Sequence, residues 1–152
     1  PARRRAFEQA MEPDGTVLSG LSVMVLDDEP DARELVERVL GEAGAEVRAF
    51  ANVSDALTAL RSGARPQVMV SDIGMPEQDG YEFIRKVRAM GPTFSSIPAA
   101  ALTALARSED RKRGLLAGYQ THVSKPVDPT ELIAVVASLA GRTGRSEEEQ
   151  DA

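Results

Sequence analysis

Between residues 21 and 140 the chain alternates short apolar runs with stretches of helical period, and that alternation leaves few folds open. The runs are Val23–Leu26, Val47–Phe50, Val68–Val70, Ala99–Leu102 and Thr121–Val123. After the first run, Ala32, Leu35, Val36, Val39, Leu40 and Ala43 recur at the spacing of one helix face, with Gly44 placed to stop it. Asn52 can cap a second helix carrying Ala56, Leu57 and Leu60 and closed by Gly63. Asp79 and Glu82 form an acidic variant of a capping box for a third, with Phe83, Ile84, Val87 and Met90 inward. Ser108 can cap a fourth that runs to Gly118. Asp128, Pro129 and Glu131 open a fifth, with Leu132, Val135, Val136 and Leu139 as its buried stripe. Five strands alternating with five helices imply right-handed crossovers and a doubly wound α/β fold, a parallel sheet covered on both faces.

Strand order follows from polarity. The runs at Val23, Val68 and Ala99 are uniformly apolar, as interior parallel strands must be. The Val47 run carries Glu46 and Arg48, and the Thr121 run carries His122 and Ser124, so these two suit the edges. The order 2-1-3-4-5, taken by analogy with other doubly wound sheets, satisfies both conditions. Residues 1–20 lack sustained periodicity beyond a short helix over 4–11, and are expected to be a linker or a truncated neighbouring segment. Residues 141–152 are expected to be a flexible polar tail.

Composition removes several classes of function. There is no cysteine, so disulfides and thiolate metal sites are excluded and a reducing cytoplasm is compatible. No stretch approaches the ~20 apolar residues that cross a bilayer, and direct membrane contact is not expected. The net charge is −6 and aromatics make up 4% of the chain, so nothing points to nucleic acid.

Ligand sites in open parallel sheets lie outside the carboxyl ends of the strands, at the switch point in strand order. The first strand ends in Asp27, Asp28 and Glu29, the third in Asp72, the fourth in Thr103, and the fifth runs into Lys125-Pro126. Three aspartates brought together repel, so either their proton affinities rise or a cation sits among them. Oxygen ligands without His or Cys favour Mg²⁺ or Mn²⁺. Asp72 is then available as a nucleophile toward phosphorus, with Lys125 and the Thr103 hydroxyl to stabilise charge on the phosphoryl oxygens. Taken singly, each residue has a plainer reading: Asp27 and Asp28 as a strand end and helix cap, Asp72 before Gly74 as turn chemistry, Thr103 as a β-branched strand residue, Lys125 as a solvated lysine. Their joint placement at one end of successive strands is what favours a site.

The stretches VMVLDDEPD (23–31), VMVSDIGMPEQDGYEFI (68–84), IPAAALTA (97–104) and HVSKPVDPTEL (122–132) together resemble the response-regulator receiver domain of two-component signalling, in the family's order and spacing. The resemblance implies a flavodoxin-like (βα)5 fold. It implies Asp72 as phosphoacceptor, Asp27 and Asp28 as the acidic pair with Asp28 the more direct metal ligand, and the Gly74 backbone carbonyl as a further ligand. Thr103 would be the switch hydroxyl, Lys125 the phosphoryl contact, and its bond to Pro126 cis. Gly74 and Leu105 sit where family members tune hydrolysis. At the position where the family often carries Tyr or Phe as a rotating partner for the threonine, this chain has His122.

The resemblance further implies a phosphoacceptor signalling domain rather than an enzyme with an external substrate, a histidine kinase or histidine phosphotransfer domain as donor, and a homodimer through the helix 4–strand 5–helix 5 face. The flanks are similar to receivers at the carboxyl end of hybrid histidine kinases; an excised hybrid-kinase receiver and a stand-alone receiver both stay open, and the linker-like start without Met favours the former. Three rival readings fit the residues less well. A phosphohydrolase working through an aspartyl phosphate commonly has a second acid two residues on, where this chain has Gly74. A nucleotide-binding module needs a glycine-rich loop after the first strand, where this chain reads DDEPDA. A pure interaction domain is disfavoured because all five functional positions are filled.

Overall fold

Burial along the five strands decides the architecture. In a computed structural model of the chain, the described residues are 17–74, 79–104 and 108–141, with backbone alone for 108–111. The strands are β1 (Ser22–Leu26), β2 (Glu46–Phe50), β3 (Val68–Asp72), β4 (Ala99–Thr103) and β5 (Thr121–Ser124). They form one parallel sheet in the order β2-β1-β3-β4-β5. Every residue of β3 and β4 is buried, whereas β2 and β5 are half-exposed edges, as their polar residues require.

Alternation along each strand feeds two apolar layers. Val23 and Val25 of β1, with Val68, Val70, Leu102 and Val123, pack against α1 (Pro30–Glu42) and α5 (Pro129–Leu139). Met24 and Leu26, with Met69, Ala99 and Ala101, pack against α2 (Val53–Arg61), α3 (Gly80–Arg88) and the end of α4 (Ser108–Ala117). The inward set expected for α3 holds for Phe83, Ile84 and Val87, while Met90 lies just past the helix and is partly buried.

Capping follows the sequence at two helices and departs from it at another. The Asn52 side chain accepts from the Asp55 N–H at 2.8 Å, and Asp79 accepts from the Glu82 N–H at 2.9 Å. At α5, Asp128 holds the cap position without a side-chain hydrogen bond, and Pro129 supplies the helical φ at the first turn instead. The Ser108 side chain and the segments 4–11 and 142–152 lie outside the described residues. A one-turn helix, Pro92–Ser95, was not expected from the sequence. Arg88 fastens it: the guanidinium donates to Phe94 O at 2.9 Å and to Gly118 O at 2.7 and 3.2 Å.

The turn over 17–20, the described end of the segment expected as a linker, packs against the domain. Leu18 is fully buried in the α1/α5 layer, and its N–H donates to Ala43 O at 3.0 Å. Just beyond the end of α1 the turn passes close to Gly44, whose φ is +104° and where a Cβ would stand 2.9 Å from Ser19 Cα. A single leucine among Ser, Gly and Val has no period to announce it.

Candidate functional site

The carboxyl ends of β1 and β3 are neighbours in the sheet, and their acidic residues meet there. Asp27 remains part of the sheet edge, its N–H donating to Phe50 O at 3.1 Å, while its own carbonyl accepts from the Arg33 guanidinium at 2.9 Å. Its side chain is fully buried and Asp72 is 7% exposed, whereas Asp28 faces solvent. Asp27, Asp28 and Asp72 each offer a carboxylate oxygen within 4.8 Å of the others.

Lys125 reaches this cluster from β5. Its Nζ lies 3.2 Å from Asp27 Oδ2 and 3.3 Å from Asp72 Oδ1. The backbone sets the reach: the Lys125 N–H donates to Thr103 O at 2.8 Å, and the Lys125–Pro126 bond is cis. Thr103 closes β4 with a buried side chain. The Gly74 N–H donates to Asp72 Oδ1 at 3.2 Å, and the Glu29 N–H to Asp27 Oδ1 at 3.0 Å. His122 lies half-buried on β5 against Gly114 of α4. Met75-Pro76 and Leu105 lie outside the described residues.

Burial pushes the Asp27 carboxyl above the usual range, aided by the charge of Asp72 and opposed by the Glu29 N–H and Lys125. Burial also works against the Lys125 ammonium, but Asp27 and Asp72 outweigh it and hold Lys125 above the ordinary lysine value. Three carboxylates against one ammonium leave an excess of two negative charges on a set of oxygen donors, one of them solvent-facing. The donor set fits a hard divalent cation that keeps part of its water.

Beneath the site is a support the sequence did not reveal. Tyr119, 1% exposed, donates its hydroxyl to Gly80 O at 2.7 Å across the start of α3. Burial drives its phenol far above the ordinary value, with Ser71 as a hydrogen-bond neighbour. The residue at 80 must be glycine: a Cβ there would stand 2.4 Å from Asp72 O and 2.7 Å from Ile73 Cα. In the sequence Asp79 and Glu82 carried a capping signal, but nothing announced the closeness at Gly80. Tyr119→Phe removes this second bond to the Gly80 carbonyl, which keeps its place in the helix ladder, and we expect a loss of ~0.5–1.5 kcal/mol in urea unfolding. An unchanged midpoint would remove the bond from the account.

With five parallel strands in this order and a lysine ion-paired to acids from two of them, comparison with known proteins is decisive. The chain matches the response regulator receiver domain over residues 23–137. It belongs to that family. It is 44% identical over 119 residues to an "Uncharacterized 14.6 kDa protein in sodA1 3'region" of Leptolyngbya boryana, covering 78% of this chain and 89% of that one. It is 39% identical over 123 residues to response regulator Rre1 of Synechocystis sp., covering 80% of this chain and 52% of Rre1. The chain thus spans about half the length of that curated response regulator. The structure of the chemotaxis response regulator CheY4 of Vibrio cholerae superposes with a TM-score of 0.73 at 30% identity, covering 80% of this chain and 99% of CheY4. The receiver fold and a place in two-component signal transduction are therefore established for this chain. No helix among the described residues is long and apolar enough to cross a membrane.

Proposed function

We propose that this receiver takes a phosphoryl group from a phosphohistidine onto Asp72 and relays the change through its α4–β5–α5 face. The observation that carries the reading is the gathering of Asp27, Asp28 and Asp72 within 4.8 Å with Lys125 on two of them. The donor is a histidine kinase or histidine phosphotransfer domain, and the setting is the cytoplasm. The similarity of the flanks to hybrid-kinase receivers supports a place within such a kinase.

Asp27, Asp28, Asp72 and the Gly74 carbonyl would hold Mg²⁺ or Mn²⁺, Asp28 more directly than Asp27. When bound, the cation neutralises charge on the incoming phosphoryl oxygens. Asp72 attacks phosphorus in line. A P–O bond forms as the P–N bond breaks, and the leaving imidazole keeps the electron pair and takes up a proton. Lys125 shifts from the aspartates to a phosphoryl oxygen, and the Thr103 hydroxyl turns toward the same anion. Movement of Thr103 at the end of β4 reaches β5 and its neighbours α4 and α5, which repack as a two-state face open to a homodimer or another partner. His122 on that face takes the place of the usual aromatic. Water later cleaves the acyl phosphate.

The test is incubation with acetyl phosphate and Mg²⁺, read by intact mass. We expect a phosphate-sized gain that disappears when the metal is chelated. Borohydride reduction followed by peptide mapping will place it on Asp72. A folded protein that gains no mass, or gains it at another residue, overturns the proposal.

A further inference from the structure

We propose that the groove between α3 and α4 is a docking site for an acidic amphipathic helix of a partner protein. The groove holds about 440 Å³ and is lined by Arg85 of α3 and by Lys112, Arg113, Leu116 and Ala117 of α4. It lies apart from the aspartate cluster and shares no residue with it. Leu116 is 82% exposed and Leu115 56%, and these are the large hydrophobic side chains left in solvent among the described residues. An exposed leucine beside a groove is an unmet apolar contact, and a space between two helices is a natural seat for a third.

Charge selects the occupant. The chain carries a net −6, yet three cationic side chains converge on this groove. None of the three is in an ion pair with another described residue. Arg113 is held with its guanidinium 4.1 Å from the Tyr81 ring, so its donors are oriented in advance. A helix that presents an aliphatic side chain flanked by carboxylates matches both features: the apolar side chain covers Leu116 and Ala117, and the carboxylates meet Arg85, Lys112 and Arg113. A nucleic acid needs an extended cationic track and would be repelled by the acidic remainder of the chain. An anionic lipid surface would likewise be repelled by that acidic remainder.

The test uses the full chain labelled with ¹⁵N. It is titrated with a helical peptide bearing a leucine stripe flanked by glutamates, with the same peptide carrying lysines instead, with anionic phosphatidylserine vesicles, and with duplex DNA. The expected result is amide shifts centred on Arg85, Arg113, Leu116 and Ala117 with the glutamate peptide, weakening as salt rises. Affinity falls by about ten-fold in Arg85→Glu combined with Lys112→Glu, both exposed positions, and also in Leu116→Ser. Shifts that are absent or centred elsewhere, equal binding of the lysine peptide, no loss in these variants, or a response at these residues only to vesicles or DNA would each overturn the proposal.

Discussion

Without divalent metal, the Lys125→Met protein will unfold more readily than the parent chain, by ~2–3 kcal/mol. Removing one partner of a buried ion pair costs several kcal/mol because the other charge stays behind. Here Asp27 stays behind with no exposure, beside Asp72. The figure sits at the low end because Lys125 itself is 23% exposed. Metal should reverse the order of effects. Lys125 occupies oxygens of Asp27 and Asp72, so its ammonium competes with any cation for them. The variant therefore binds Mg²⁺ more tightly and gains more stability from it than the parent does. Phosphorylation nevertheless slows by about a hundred-fold, the usual effect of deleting one donor to a developing anion. Denaturant unfolding with and without Mg²⁺, and the rate of mass gain from acetyl phosphate, measure all three. Equal stability of the two proteins in the absence of metal would show that the lysine is not the countercharge for this cluster.

The same pairing fixes the pH response of the metal-free protein. Lys125 is raised above its ordinary value of 10.5, so its contribution is complete below that value and is lost as pH climbs through the higher folded value. Asp27 is raised above 3.8, so the folded state holds its proton more tightly. That contribution is present below 3.8 and lost as pH rises through the folded value. At neutral pH the Lys125 contribution is therefore intact, while that of Asp27 has already been lost.

Gly80→Ala will also destabilise the fold, by ~2–3 kcal/mol, although alanine in place of glycine ordinarily favours a helix by about 1 kcal/mol. The added Cβ meets Asp72 O at 2.4 Å, Ile73 Cα at 2.7 Å and Ile73 Cγ2 at 2.9 Å, and two of these atoms are backbone. Relief requires α3 to back away from the end of β3. That move strains the Gly80 N–H to Ile73 O bond and the Tyr119 hydroxyl bond, and it shifts Asp72 with them. We therefore expect slower phosphorylation together with the lowered midpoint. Gly41→Ala is the matched control: it lies within α1 with nothing inside 4 Å of an added Cβ, and should stabilise by ~0.5–1 kcal/mol. If both substitutions stabilise, the close approach at Gly80 is not a constraint.

Much of this was legible in the residues because each site side chain ends a strand. Asp27 and Asp28 follow an uninterrupted apolar run, Asp72 follows one with only Ser71 between, and Lys125 follows the more polar edge strand; the order of a parallel sheet carries such ends to one edge. Glu46, Arg48 and His122 marked the edge strands by polarity alone. What was not legible depends on contacts distant in sequence. Tyr119 meets Gly80 across 39 positions and Arg88 meets Gly118 across 30, with no local pattern to signal either bond. Asp128 looked like a cap because of its type and its proline, but residue type does not fix where a carboxylate points. The one-turn helix at Pro92–Ser95 is too short for periodicity to register.

The turn ahead of β1 has a practical corollary for anyone excising this domain. Cutting at the first strand would discard Leu18 and open a hole over Leu40 and Ala43, at a loss comparable to a core leucine truncation, ~2–5 kcal/mol. Leu18, ahead of the first strand, thus belongs to the hydrophobic interior as fully as the helices it packs against.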